Sequence, residues 1–148
     1  MSSDLFTGML FSFLNFGIHA MATGVIVVTT RGTEQRIHHF GIFVRLTALL
    51  TVAVTFLMLA HIAEIAVWAG FLNLMGVVIT NVDTFEFSFE NYTGLGYGDA
   101  LPRDVRFRLI GPIMALNGLL LIGWSVAVIF EVMRMAEFEV GRRPKGGN

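Results

Sequence analysis

The sequence predicts an all-α membrane protein with three transmembrane helices and one short re-entrant helix that is followed by an irregular loop. Of the 148 residues, 55% are hydrophobic and only 14% are charged, whereas a soluble domain has about 25% charged residues. Three stretches with almost no charge each reach the ~20 residues that a helix needs to cross a bilayer. Between the second and third stretches lies a segment that is rich in aromatic residues and glycine and is too short to cross the bilayer twice.

The composition also excludes several classes of function. Little chain remains outside the three apolar stretches, so we expect no separate soluble catalytic or nucleic-acid-binding domain, no enzyme activity and no nucleic-acid partner. The formal net charge is -1, which gives no sign of a basic nucleic-acid surface. Cysteine is absent, which excludes disulfides and thiolate metal sites.

The first helix is predicted from about Leu5 to Val28, inside an N-terminal unit of residues 1–38 that ends in a cytoplasmic connection. Its apolar run is longer than the ~7 to 15 residues of a signal-peptide core, and no basic segment precedes it. We therefore expect a retained transmembrane helix. The connection after it carries Arg31, Glu34 and Arg36.

The next two helices belong to a second unit, residues 39–135. The second helix is predicted at residues 40–71, where Arg45 near its start is expected to extend to the membrane interface. The third helix is predicted at residues 105–135, because its apolar run follows a basic cluster and contains no formal charge before Glu131. A short cytoplasmic tail, residues 136–148, follows and has a polar, glycine-containing end that we expect to be disordered.

The segment between these two helices predicts a re-entrant helix and loop at residues 83–99. Asp83 and Glu86 have the spacing of a capping box, with Asp83 as the N-cap and Glu86 returning a bond. Gly94 would end the short helix. Irregular backbone at membrane depth is tolerated only where it is buried in protein or lines a water-filled path.

The basic residues predict the orientation of the chain. Of the ten Lys and Arg residues, seven fall in the first connection, the start of the second helix and the tail. Basic residues favour the cytoplasmic side of a membrane, so we expect the N-terminus outside and the C-terminus inside.

The glycine-rich loop resembles the selectivity-filter signature of potassium channels, usually written T-T-V-G-Y-G-D. The matching residues are Thr93, Gly94, Leu95, Gly96, Tyr97, Gly98 and Asp99. The resemblance covers about Ile42 to Met133 and extends to residues 61–69 and 116–125, which are similar to small bacterial two-helix-pore channels (ion channel 2 type) with one extra N-terminal helix.

This resemblance implies a passive potassium-selective channel in the bilayer of a bacterial inner membrane, with potassium or another monovalent cation as its ligand. Backbone carbonyls of residues 93–98 would replace the hydration shell of the ion. Gly96 and Gly98 allow the required backbone angles, and Leu95 and Tyr97 would point away from the pore and pack against the short helix. One loop cannot surround an ion, so the pore requires a homotetramer. No helix repeats arginine as a voltage sensor does, so gating would come from pH, lipid, tension or an accessory partner.

One position departs from the family pattern. Gly94 stands where these channels usually have the threonine whose carbonyl and hydroxyl line the innermost ion site. We expect a weaker inner site and a gain in potassium selectivity from Gly94→Thr. Two alternative functions therefore stay open: a non-selective cation channel, and a non-conducting channel-derived scaffold or accessory subunit.

Two further features support the filter or the gate by resemblance. Glu90 and Asp99 are predicted to share a proton behind the filter, although Glu90 facing water is the alternative.

Gly118 lies where the family often has an inner-helix hinge, and Gly123 is a second hinge candidate. Close helix packing is the alternative explanation of both glycines.

His19, His61 and Glu64 form a candidate polar cluster within the membrane. Ionisable residues inside a span are functional candidates by default. Three alternatives stay open for this cluster: a transition-metal site, a proton sensor, and a set of structural hydrogen bonds. The sequence by itself predicts no metal other than potassium.

Overall fold

The computed structural model describes residues 2–141, and describes side chains from residue 6 to residue 136. It contains four α-helices: α1 (Ser2–Ile37), α2 (Ile42–Leu74), α3 (Thr84–Tyr92) and α4 (Ile110–Gly141), with a short 3-10 helix at Val105–Phe107. Three segments are long and apolar enough to cross a membrane, namely Phe6–Ile37, Ile42–Leu74 and Val105–Ala136. The predicted all-α membrane fold is therefore confirmed.

Helix α1 is longer than predicted, and α4 begins and ends later in the chain than predicted. Helix α1 has 36 residues, or about 54 Å at ~1.5 Å per residue, which exceeds the ~30 Å hydrocarbon core. Arg31, Glu34 and Arg36 therefore lie on α1, and the connection to α2 is only residues 38–41. Helix α4 continues to Gly141, so the predicted tail begins inside a helix; residues 142–148 lie outside the described residues.

Arg45 does not extend to the interface as predicted. Its side chain is buried, and its Nη2 atom donates to Oε1 of Glu34 on α1. A buried guanidinium needs a charge partner, and the longer α1 brings Glu34 alongside. This ion pair joins α1 to α2 at the end of the bundle opposite to α3.

The three long helices pack against one another, and α3 is inserted between α2 and α4 at one end. The core around α3 contains Trp68 of α2, Phe87 and Tyr92 of α3, and Met114 and Leu121 of α4. A second core, near the connection between α1 and α2, is built around Ile26, Leu49 and Val132. The short helix is thus held by the two helices that the resemblance assigns to a pore.

Candidate functional site

The short helix α3 begins where the capping pattern predicts. Oδ1 of Asp83 accepts hydrogen bonds from the backbone N–H groups of Phe85 and Glu86, each 2.8 Å long. These bonds satisfy two donors that a helix start leaves free. The return bond from the Glu86 side chain is not formed within the part of the chain that the structure describes. Asp83 alone therefore caps the helix.

Gly94 ends α3 in a Schellman motif. The Gly94 N–H donates to the Asn91 carbonyl and the Leu95 N–H donates to the Glu90 carbonyl, both at 2.9 Å. This pattern requires a left-handed residue at the position after the cap, and the φ angle of Gly94 is +75°. The hydroxyl of Thr93 donates to the Phe89 carbonyl at 2.9 Å. Gly94 thus has a backbone role that threonine fills only under strain.

The glycines of the loop alternate in backbone handedness with their neighbours. The φ angles of Gly96 and Gly98 are +47° and +80°, and Asn81 is the positive-φ residue other than glycine within the described chain. Leu95 and Tyr97 therefore have negative φ angles. A side chain resists the left-handed region, so glycine at every second position permits this alternation.

The side chains of the loop do not pack as predicted within a single chain. Leu95 and Tyr97 are 57% and 69% exposed, although they were expected to pack against the aromatic residues of α3. A cavity of about 130 Å³ lies between the loop and α3 and is lined by Phe87, Glu90 and Tyr97, among others.

Residues before α3 fix the far end of the loop. The Thr80 N–H donates to the Leu101 carbonyl at 3.1 Å, and Nδ2 of Asn81 donates to the Asp99 carbonyl at 2.8 Å. Asn81 has a φ angle of 69°, a conformation in which asparagine is less unfavourable than most residues. These two hydrogen bonds were not predicted. The adjacent Thr80 and Asn81, between two helices, were the only indication of them in the sequence.

Glu90 and Asp99 are coupled by charge rather than by a contact. Loss of solvent around Glu90 raises the pKa of its carboxyl, and the negative charges of Asp99 and Glu86 raise this pKa further. Glu90 is 9% exposed, whereas Asp99 is exposed. No hydrogen bond joins the two carboxylates in the described part of the chain. The shared proton stays a prediction.

The two hinge candidates have different surroundings. A Cβ atom on Gly118 would lie 1.9 Å from the Tyr92 carbonyl oxygen, whereas a Cβ atom on Gly123 would meet no atom within 4 Å. Close packing of α4 against α3 therefore accounts for glycine at position 118. The hinge stays a prediction for both positions.

His19, His61 and Glu64 are brought together in the membrane-spanning core. Nδ1 of His19 lies 2.9 Å from Oε1 of Glu64, and Nδ1 of His61 lies 3.2 Å from Oε2. The Tyr92 hydroxyl donates to Oε2 of Glu64 and lies 2.7 Å from Nδ1 of His61. Oγ of Ser125 lies 2.9 Å from Nε2 of His61. This cluster connects all four helices.

A second buried polar group is centred on Asn117 of α4. Oδ1 of Asn117 accepts from Nδ2 of Asn15 at 3.1 Å and from Nε1 of Trp68 at 3.2 Å. Asn117 therefore bonds to the neighbouring helices. Asn15 and Ser125 were not predicted, although the spacing of polar residues indicated both. Asn15 is four positions before His19, and Ser125 is eight positions after Asn117, so each pair shares a helix face.

Comparison with known proteins assigns a family to this architecture. A family model described as "Ion channel" matches residues 59–135. The match covers just over half of the 148 residues and runs from α2 through α3 and the glycine loop into α4. No curated protein and no solved structure matches the chain. The chain is an integral membrane protein that belongs to the two-helix-pore ion channel family.

Proposed function

We propose that the chain forms a homotetrameric channel that conducts potassium passively through the backbone carbonyls of residues 93–98. The alternating handedness of the loop carries this proposal. Gly94, Gly96 and Gly98 have positive φ angles, and the residues between them have negative ones. Such alternation turns successive carbonyls to one side, which is the arrangement that replaces water around a dehydrated potassium ion.

The position of the loop supports the same function. It follows directly from the C-terminal end of α3, where the helix dipole presents partial negative charge. A cation approaching the loop is therefore favoured by four such ends in a tetramer. Transport through this path needs no catalytic group.

The surface of the loop supports assembly with further copies. Leu95 and Tyr97 are large apolar side chains that a single chain leaves exposed, and exposed apolar groups beside an unfilled cavity mark a surface for another protein. Since one loop supplies one wall of a pore, four copies around a common axis complete it.

The distribution of charge supports the orientation. An odd number of candidate spans, three, supports opposite sides of the membrane for the two ends of the chain. Seven of ten basic residues lie towards one side, so the C-terminus is cytoplasmic and the N-terminus and glycine loop face the outside of a bacterial inner membrane.

A second candidate, a non-selective cation channel, is favoured by Gly94. Four threonine hydroxyls that would line the innermost ion site are replaced by hydrogen atoms in the tetramer. Fewer oxygen ligands discriminate less between a dehydrated potassium ion and a smaller sodium ion.

The deciding experiment is ion flux from purified protein in liposomes under a potassium gradient, repeated with sodium and with added barium. Barium fits potassium sites and leaves them slowly, so barium-sensitive flux that favours potassium is the expected result. Gly96→Ala should abolish this flux, because its φ angle is +47°. Gly70→Ala is the matched control, since a Cβ atom there would meet nothing within 4 Å.

Each outcome assigns one function. Equal sodium and potassium flux would replace the proposal by the non-selective channel. No flux from a cross-linked tetramer at several pH values would replace it by a silent scaffold, and a dimer or monomer in native lipid would exclude a pore of this type.

A further inference from the structure

A buried histidine-carboxylate cluster lies outside the glycine loop and takes no part in the proposed conduction. It consists of His19, His61, Glu64, Tyr92 and Ser125. His19 and Glu64 are fully buried, and Tyr92 is 1% exposed. The five residues come from α1, α2, α3 and α4. Polar groups of this kind are costly at membrane depth and are kept where they perform a function.

The carboxylate of Glu64 has no permanently cationic partner among the described side chains. Glu64 lies within the α2 span, and its carboxylate oxygens contact His19, His61 and Tyr92 within the described side chains. None of these three partners carries a permanent positive charge. An ionised carboxylate buried away from water needs a cation beside it.

The donor atoms converge as metal ligands do. One ligand atom from each of His19, His61 and Glu64 lies within 4.8 Å of the other two. Around a tetrahedral zinc ion with bonds of ~2.0–2.1 Å, ligand atoms lie about 3.4 Å apart. The Tyr92 oxygen lies beside them, 2.7 Å from Nδ1 of His61. Small side-chain movements would bring the three ligand atoms to the spacing of a tetrahedral site.

The opposite sides of both imidazole rings are also positioned. Oγ of Ser125 lies 2.9 Å from Nε2 of His61 and 3.4 Å from Nε2 of His19. A hydroxyl oxygen has two lone pairs and can accept from both rings. Metal-binding histidines almost always donate their second N–H in this manner, which leaves the other nitrogen free for the metal.

We propose that this cluster is a binding site for a divalent transition-metal ion, with zinc as the best fit. Nδ1 of His19, Nδ1 of His61 and the Glu64 carboxylate are the ligands, which leaves the fourth tetrahedral position to water, as in zinc sites with three protein ligands. Imidazole and carboxylate donors suit this class of metal, and no thiolate is present. Bound metal would fasten α1 to α2 beside the C-terminal end of α3. The proposal is independent of whether the loop conducts.

The test is metal binding by the full chain in lipid nanodiscs, without an affinity tag. After chelator treatment, the protein is equilibrated with zinc and the bound metal is counted by atomic emission. We expect one zinc per chain, retained by the control His39→Ala, whose ring is exposed. Glu64→Gln should lose the zinc, and Ser125→Ala should weaken binding by about 10- to 100-fold, as loss of an orienting group does.

A second measurement does not depend on how the variants fold. The parent protein is loaded with cobalt, whose visible absorption is strong in a four-coordinate site and weak in an octahedral one. An intense cobalt spectrum that disappears when zinc is added, because zinc displaces the cobalt, supports the site. The proposal would be overturned if the parent protein bound no more zinc than Glu64→Gln and gave no intense cobalt spectrum. The cluster would then be held together by hydrogen bonds alone.

Discussion

Gly118 of α4 lies directly against the carbonyl group of Tyr92 at the end of α3. A Cβ atom at position 118 would lie 1.9 Å from the carbonyl oxygen and 2.7 Å from the carbonyl carbon. Both atoms belong to the backbone, so no side-chain rotation relieves the contact. The start of the glycine loop is therefore positioned by the close approach of α4.

Replacing Gly118 by alanine should separate α4 from α3 and destabilise the protein. Overpacking of this kind costs about 1–3 kcal/mol or more. We expect a lower thermal unfolding temperature in detergent and loss of flux. Gly123→Ala is the control, because its new methyl group meets no atom within 4 Å. Equal unfolding temperatures for the two variants would show that α3 and α4 do not approach closely here.

The sequence was sufficient to predict the membrane fold. Uninterrupted apolar runs predict spans because a bilayer offers no partner for an exposed backbone polar group. The start of α3 was equally clear, since Asp83 stands three residues before Glu86 in a capping pattern. Both predictions rest on local chemistry, which the order of residues expresses directly.

Features that depend on distant residues were harder to predict. The buried ion pair of Arg45 needs Glu34 on a helix that continues past its apolar run. The charged residues after that run had instead predicted a connection outside the helix. The convergence of His19 with Glu64 needs the packing of α1 on α2, across 45 positions. Polar residues on one helix face indicate that partners exist but do not identify them.

A side chain at position 94 should weaken the end of α3. The φ angle of Gly94 is +75°, and a residue with a side chain pays about 1–2 kcal/mol in this region. Gly94→Ala should therefore unfold at a lower temperature than Gly94→Asn, because asparagine tolerates the conformation better. Gly70→Ala lies within α2 and should be neutral or stabilising. If Gly94→Ala matched Gly70→Ala, the left-handed turn would be excluded.

The same angle changes what is expected from Gly94→Thr. The threonine hydroxyl would add oxygen ligands to the proposed innermost ion site, but threonine is β-branched and is strained at positive φ. We expect sharper potassium-over-sodium selectivity together with reduced thermal stability. Reversal potentials in mixed potassium and sodium solutions measure the first effect, and thermal unfolding measures the second. An unchanged reversal potential would count against a role of this position in selectivity.

Removing the Asn117 side chain should loosen the contact between α1, α2 and α4. Its Oδ1 atom accepts from Asn15 and Trp68. Asn117→Ala therefore leaves the Trp68 N–H without this acceptor, whereas Asn15 keeps its 3.3 Å bond to the Glu64 carbonyl. A buried donor left unsatisfied costs about 1–3 kcal/mol. We expect a clear drop in unfolding temperature, whereas Thr55→Ala removes only a bond on an exposed part of α2 and should change little. Equal drops in unfolding temperature for the two variants would mean that the buried Asn117 amide does not stabilise the helix contacts.

The raised pKa of Glu90 predicts a pH dependence of stability. Burial is its main cause, and the charges of Asp99 and Glu86 add to it. Because the folded protein then holds the proton more tightly than the unfolded chain, the stabilising effect is complete below the ordinary glutamate pKa of about 4.3. It is lost as pH rises to the raised value in the folded protein.

Glu90→Gln keeps a neutral side chain and should remove this loss, so its advantage over the parent should grow from pH 4 to pH 8. Asp99→Asn should reduce the loss by removing one of the charges. Glu131→Gln, on an exposed part of α4, is the control and should follow the parent at each pH. Thermal unfolding and potassium flux across this range measure both effects, and parallel curves for Glu90→Gln and the parent would show that the carboxyl does not titrate abnormally.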